Sequence, residues 1–385
     1  MDISQKTKIG VGMVGTGFMC RAHSNAFSKI RYTYWDRNYY PVLAGVAGST
    51  LEKASEAAER YGYGYACTGW DTLLSDKSIR LVDVCTGDTL HKQVVLEAAA
   101  AGKDILCEKP LALSVRDAKE MCAALSKYKV RGMCGFNYRF FPAVLLARTL
   151  IERGTLGTLY SFSGNYNQDA GADSALAAEK VWYVTGSKSS GVSCGVGSHL
   201  IDISRFLMGE VASVSGLLKT YNTTRSSAEG PVMVKTDEEM LAIVEFENGA
   251  TGTYKASGVY SGKKNQLKWE VYGSGGSISF DTDEPNMLNV YLKDSPILEV
   301  TGFTKINVTQ ADKRHPLMDV FWPRGLGIGW EDAHVNEIAH LLDCMANGLK
   351  ISPVGAVFED GCRAVAIIEA IRESTASGRK IFLEY

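Results

Sequence analysis

Lys8 to Val14 reads as a short buried strand. It runs straight into Gly15-Thr16-Gly17-Phe18-Met19-Cys20 and then a helix that the pattern carries to about Ile30. A strand, a glycine turn and a helix in that order form the opening of a parallel βαβ unit. The first two glycines permit a tight turn and the close approach of a pyrophosphate, and the helix N-terminus beyond them offers free N–H groups and a positive dipole end. The third glycine of G-x-G-x-x-G serves helix–strand packing; here it is Cys20, a side chain small enough for that place. Gly15, Thr16, Gly17, Phe18 and Met19 are therefore the first cofactor-binding candidates, with an ordinary glycine turn as the alternative.

The same rhythm continues. Val42 to Ala47, Leu81 to Cys85, Ile105 to Cys107 and Arg131 to Gly135 read as further buried strands, separated by helices over Thr50–Tyr61, from His91 to Ala101, and from Ser114 onward. Alternation of this kind gives a doubly wound parallel sheet, a Rossmann fold. Arg31 to Pro41 interrupts it with an aromatic-rich insertion, read either as a packed loop or as the rim of a cleft. The second strand exits at Ala47-Gly48-Ser49-Thr50, where an acid for an adenosine ribose is expected. No acid stands there and no arginine follows at once. Ser49 and Thr50 are the ribose candidates, and NAD is preferred to NADP.

After residue 136 the pattern changes. Alternating segments at Leu159–Tyr166, Val211–Tyr221, Met240–Glu247, Thr251–Ser257, Leu267–Tyr272, Ser277–Phe280 and Leu288–Leu292 imply a large, open, mostly antiparallel sheet. Two amphipathic helices close the chain, Asp332–Asn347 and Ala356–Ser377. The expected organisation is α/β: a Rossmann domain over 1–136 and an α+β substrate-binding and oligomerisation domain over 137–385. With few helices to cover so large a sheet, a second subunit is the expected cover, as a homodimer or homotetramer.

Composition removes other classes. A net charge of -2 leaves no basic footprint for nucleic acid, and no apolar run reaches the roughly 20 residues of a membrane span. The polar N-terminus does not read as a signal peptide. Nine cysteines with no CxxC pair suit reduced thiols in a cytoplasm, and six histidines without metal-ligand spacing imply no metal.

Two stretches carry chemistry. Ile105-Leu106-Cys107-Glu108-Lys109-Pro110 is a buried strand ending in an acid, a lysine and a proline, and proline holds the residue before it out of the helical region. Lys109 thus stands at a strand exit, where open α/β sheets bind ligands, with Glu108 beside it. A solvated loop lysine is the plain alternative. The second stretch, Gly191 to Asp202, is a glycine-rich approach to a helix with His199 near its start, read as structural or catalytic. Asn137, Tyr138 and Arg139 follow the last parallel strand and either line the cleft or pack. Asp169 and Trp182 lie in a long loop before His199, and His334 lies in the first turn of the penultimate helix, read as surface or as a sugar contact.

Together these residues carry a resemblance. The nucleotide turn, Thr86-x-x-x-x-His91, Glu108-Lys109-Pro110 and the glycine-rich His199-x-x-Asp202 resemble the Gfo/Idh/MocA family of sugar and inositol oxidoreductases across essentially the whole chain. Gly135–Phe140, Trp322–Gly325 and Gly329–Glu331 resemble a branch with levoglucosan dehydrogenase-like and glycoside 3-dehydrogenase-like enzymes. The resemblance implies that Thr86, Gly87, His91, Glu108, Lys109 and Asn137 border NAD. It also implies that Lys109 contacts the substrate hydroxyl and nicotinamide ribose, and that His199 exchanges the hydroxyl proton. Arg139, Asp169, Trp182 and His334 join them as substrate candidates. Two positions depart from the family: Gly195 replaces an aspartate four residues before His199, with Asp169, Asp173, Glu331 or Asp332 as possible substitutes, and Gly87 replaces a proline. The implied activity is NAD-dependent oxidation of a sugar, glycoside or cyclitol hydroxyl. Glycoside cleavage through transient oxidation, or a dinucleotide-binding sensor with impaired catalysis, are the alternatives. The sugar, its reacting carbon and the direction stay open.

Overall fold

Every residue from Ile9 to Val14 is buried, as a strand covered on both faces requires. They belong to β1 (Thr7–Val14), the centre of a six-stranded sheet with β2 (Tyr39–Ala47), β3 (Tyr65–Cys67), β4 (Ile79–Val84), β5 (Asp104–Cys107) and β6 (Gly132–Cys134). The computed structural model describes residues 5–173, 186, 191–294, 297, 299 and 301–385. The sheet order is β3-β2-β1-β4-β5-β6, and every pairing is parallel. This is the expected Rossmann sheet. Its order reverses between β1 and β4, which places the ligand crevice at the carboxyl ends of those strands.

Local chemistry starts and stops the helices between them. Thr50 caps Leu51–Tyr61 by accepting from the Lys53 N–H, and Ser114 caps Val115–Tyr128 by accepting from Asp117. Gly62, at φ +82°, ends the former in the left-handed conformation glycine favours. The aromatic insertion is a packed element: its end is the start of β2, and Pro41 pairs with Ile9 on one side only, because β3 joins β2 no earlier than Gly45. The Tyr34 and Tyr39 hydroxyls donate to Asn336 and to the Ala339 carbonyl of the Trp330–Asn347 helix, whereas Tyr32 and Trp35 stay exposed.

The chain divides into two compact units, Met1–Phe140 with Gly329–Cys362, and Phe141–Ile328 with Arg363–Tyr385. Sequence reading placed everything after 136 in one domain; the Trp330–Asn347 helix instead belongs with the nucleotide-type sheet. In the second unit a nine-stranded sheet has the order β16-β15-β14-β13-β7-β12-β11-β8-β17. Its strands are β7 (Leu159–Asn167), β8 (Val211–Lys219), β11 (Glu239–Phe246), β12 (Thr251–Ser257), β13 (Gln266–Gly273), β14 (Gly276–Asp281), β15 (Met287–Leu292), β16 (Thr304–Asn307) and β17 (Ile381–Phe382). A separate hairpin joins β9 (Thr224–Ser227) to β10 (Gly230–Met233). The large sheet is antiparallel except where β7 and β12 run parallel. Among the described residues, no helix is long and apolar enough to cross a membrane.

Candidate active site

The glycine turn has the geometry its sequence implies. Gly15 sits at φ +115°, and a Cβ there would lie 2.4 Å from the Cys85 carbonyl oxygen, so only glycine fits. Gly17 is the N-cap of the Phe18–Thr33 helix with no side-chain cap, and a Cβ on it would meet nothing within 4 Å. Gly17 and Phe18 are exposed, so the uncapped helix start is open, which suits a pyrophosphate. Cys20 is fully buried, its thiol pushed up to about 11 chiefly by burial, and it fills the packing role of the third glycine. Phe18 is exposed and stacks on Trp330 with centroids 5.6 Å apart, so the Gly329–Glu331 stretch stands beside the turn.

At the next strand exits the polar groups converge. Ser49 is exposed, while the Thr50 hydroxyl is already used as a helix cap. The Thr86 hydroxyl is buried and makes no hydrogen bond, and neither does the buried Asn137 amide nitrogen. Such orphaned groups are costly unless a ligand meets them. Gly87 has φ -68° and ψ 148°, the backbone a proline would adopt, so the replacement leaves the turn unchanged. His91 is fully buried, its ring nitrogens 3.0 Å from the Pro110 carbonyl and 3.3 Å from that of Thr86. It braces two strand exits against each other. These groups fit a dinucleotide: Gly15 to Met19 would hold the pyrophosphate, and Thr86 and Asn137 would face the rest.

Lys109 is half-buried at the end of β5. Glu108 points inward: one oxygen accepts from the Lys109 N–H, and the other lies 3.2 Å from Nε2 of His23. Burial pushes the Glu108 carboxyl up, but His23 and Lys109 outweigh it and hold it below the usual range. Asp88, missed in the sequence, is raised by burial despite His91 and Lys109 nearby. Arg139 is buried and pairs with Asp360 at 3.5 Å, which commits it inside this unit. His334 is 1 % exposed, so the surface reading fails; its ring packs edge-on to Trp330 and beside His23.

In the second unit, His199 is buried in the first turn of the Ser198–Met208 helix beside the Tyr166 ring, 6.0 Å between centroids. A π turn, Ser193–Gly197, leads into it, a form common at functional sites. Asp237 anchors this approach: it accepts from the Ser193 N–H at 2.6 Å and the Ser193 hydroxyl at 2.8 Å, and burial raises its carboxyl. Gly191, at φ +86°, allows this, since a Cβ would lie 2.6 Å from the Asp237 carboxylate. No local sequence signal links positions so far apart. Asp169 pairs with Lys264 at 2.7 Å, and in the first unit Glu331 and Asp332 pair with Lys29. Those carboxylates are thus engaged elsewhere, and Asp237 is the acid tied to the glycine-rich segment. Trp182 lies outside the described residues.

Comparison with known proteins fits this arrangement. Residues 9–136 match the model of an oxidoreductase family with an NAD-binding Rossmann fold, and residues 144–279 match the GFO/IDH/MocA C-terminal domain. The chain belongs to the Gfo/Idh/MocA oxidoreductase family. It is 34% identical to a levoglucosan dehydrogenase of Pseudarthrobacter phenanthrenivorans, over 96% of each chain. It is 26% identical to an inositol 2-dehydrogenase of Rhizobium meliloti, over 96% of this chain and 98% of the relative. A levoglucosan dehydrogenase solved with NADH and levoglucosan superposes with a TM-score of 0.92 at 33% identity, covering 98% of this chain and 100% of that one.

Proposed function

We propose that the protein moves a hydride between NAD and a secondary hydroxyl of a sugar, glycoside or cyclitol. The observation that carries this reading is the uncapped, open Gly17 helix start with the unpaired Thr86 hydroxyl, on the sheet whose next exit bears Lys109. The likeness to sugar and inositol dehydrogenases supports the substrate class. NAD, when bound, supplies the hydride acceptor. Lys109 is assigned to hold the substrate hydroxyl, and His199 to take its proton as the C–H bond breaks. Asn137 is assigned to the cofactor and Asp169 and Trp182 to the substrate, whereas Arg139 and His334, 3% and 1% exposed, are held inside the first unit.

A second reading rests on Gly195. With no carboxylate four residues before His199, the chain would bind the dinucleotide and act as a sensor or subunit with impaired catalysis. Incubating the protein with NAD and a panel of anhydrosugars, glycosides and inositols separates the readings. NADH formation abolished in Lys109→Met and His199→Ala, both retaining dinucleotide binding, supports oxidation. Glycoside cleavage without NADH release supports transient oxidation, and binding with neither supports the sensor. We also propose a cytoplasmic homodimer or homotetramer formed through the exposed sheet face bearing Ile243 and Leu217, which light scattering would size.

A further inference from the structure

Behind Lys109, inside the first unit, lies a polar cluster that dinucleotide chemistry does not use. His23 on the Phe18–Thr33 helix is fully buried, and its Nδ1 lies 2.9 Å from Asp83 at the end of β4. Asp83 thereby fixes the imidazole so that Nε2 points the other way, as a carboxylate does for a metal-bound histidine. On that side stand Glu108 Oε1, 3.2 Å from Nε2, and His334 and Glu337, one turn apart on the Trp330–Asn347 helix. The ligand atoms of His23, His334 and Glu337 all lie within 4.8 Å of one another, and all three residues are buried.

Three features set this cluster apart from an ordinary buried network. His334 is 1 % exposed and neither of its ring nitrogens makes a hydrogen bond. Buried imidazoles rarely forgo both partners. Next, His334 Nδ1 is 3.4 Å from Glu337 Oε2, and with the 3.2 Å His23–Glu108 separation this matches the edge of a zinc tetrahedron, about 3.3 Å for metal–ligand bonds of about 2.0–2.1 Å. Finally, Asp83, Glu108 and Glu337 bring three carboxyl groups to the two imidazoles, with the Lys109 ammonium acting on Glu108 and His334, where almost no water reaches. A cation there would meet carboxylate oxygens and imidazole nitrogens already held in place.

We propose that His23 Nε2, His334 and Glu337 form a binding site for a divalent transition metal of the zinc class, with Glu108 Oε1 at its edge. Two imidazoles and a carboxylate are a borderline set that suits Zn²⁺ or Co²⁺ rather than Ca²⁺ or Mg²⁺. The opposite side of His23 is a poorer choice: Nδ1, 3.4 Å from the Cys85 thiol, is committed to Asp83 at 2.9 Å and has no lone pair left for a metal there. The ion's role is structural. It fastens the helix after the glycine turn to the Trp330–Asn347 helix, and through Glu108, which accepts from the Lys109 N–H, it fixes the backbone at Lys109.

The test uses the full chain, stripped with chelator and then titrated with Zn²⁺. One ion per chain is expected, with a rise in Tm of about 5 °C at a hundredfold excess over Kd. Co²⁺ is expected to give the visible bands of a tetrahedral N/O site. His334→Asn and Glu337→Gln, checked for fold by circular dichroism, are expected to lose that binding by at least tenfold. Should either variant fail to fold, the cobalt spectrum of the unaltered chain decides alone. Absence of a Tm shift and of cobalt bands, or equal binding by folded His334→Asn, overturns the proposal and leaves protons or a water as the occupants of the cluster.

Discussion

Gly15 and Gly17 stand two residues apart, yet the structure gives them different burdens, and alanine at each should separate stability from binding. At Gly15 the new Cβ would lie 2.4 Å from the Cys85 oxygen, 2.8 Å from the Cys85 carbonyl carbon and 3.2 Å from the Thr86 nitrogen, all backbone atoms that cannot swing aside. The φ of +115° adds strain of about 1–3 kcal/mol, and the overlap adds about 1–3 kcal/mol more. Gly15→Ala should therefore lose roughly 2–6 kcal/mol of stability in urea unfolding. At Gly17 the Cβ meets nothing, and φ -83° is open to any residue. Gly17→Ala should lose only about 1 kcal/mol or less, from the poorer helix cap. The same Cβ enters the space kept for a pyrophosphate, so dinucleotide affinity should fall at least tenfold. Unfolding curves and nicotinamide fluorescence titrations measure both. Gly15→Ala as stable as the parent, or Gly17→Ala binding NAD unchanged, would refute the reasoning.

Gly87→Pro places proline where φ is already -68°, and no backbone bond from the Gly87 N–H is needed; it should stabilise the chain by about 0.4–1 kcal/mol in thermal unfolding. Glu210 accepts from Arg205 at 2.8 Å and pairs with Arg363 at 2.6 Å, and these cations outweigh burial to hold its carboxyl below the usual range. Its stabilisation is thus complete above the unfolded carboxylate value and lost as pH falls through the lower folded one, so Tm should decline below about pH 4.5 more steeply in the parent than in Glu210→Gln. Gly195→Asp restores the family carboxylate before His199 and should raise turnover at least tenfold, measured as NADH formation; no gain would count against a role for that position.

Much of this was legible in the chain, for physical reasons. Fully apolar runs such as Ile105-Leu106-Cys107, short and bounded by turn residues, suit strands covered on both faces, and β12 keeps the Thr251–Ser257 limits its alternation sets. Strand β3, three half-buried residues, and β17, two residues long, carry too little pattern to be seen. The parallel pairing of β7 with β12 has no local mark, because Thr251 meets Ser161 across the Ser198–Met208 helix and strands β8 to β11. Lys109 and His199 announce themselves by their flanking residues. His23 and Asp83 do not: each looks like an isolated polar residue in an apolar element, and only the return of the Trp330–Asn347 helix to the first unit brings His334 to His23. The same return explains why His334 reads as a surface residue in sequence and is buried in the fold.

The central claim is hydride transfer from a carbinol carbon to NAD, and isotope transfer tests it without requiring cofactor release. The protein is incubated with NAD and levoglucosan or an inositol deuterated at its carbinol carbons, quenched, and the dinucleotide weighed by mass spectrometry. The account predicts deuterium on the nicotinamide ring, lost in His199→Ala. A dinucleotide that binds yet never acquires deuterium from any polyol in the panel would contradict it.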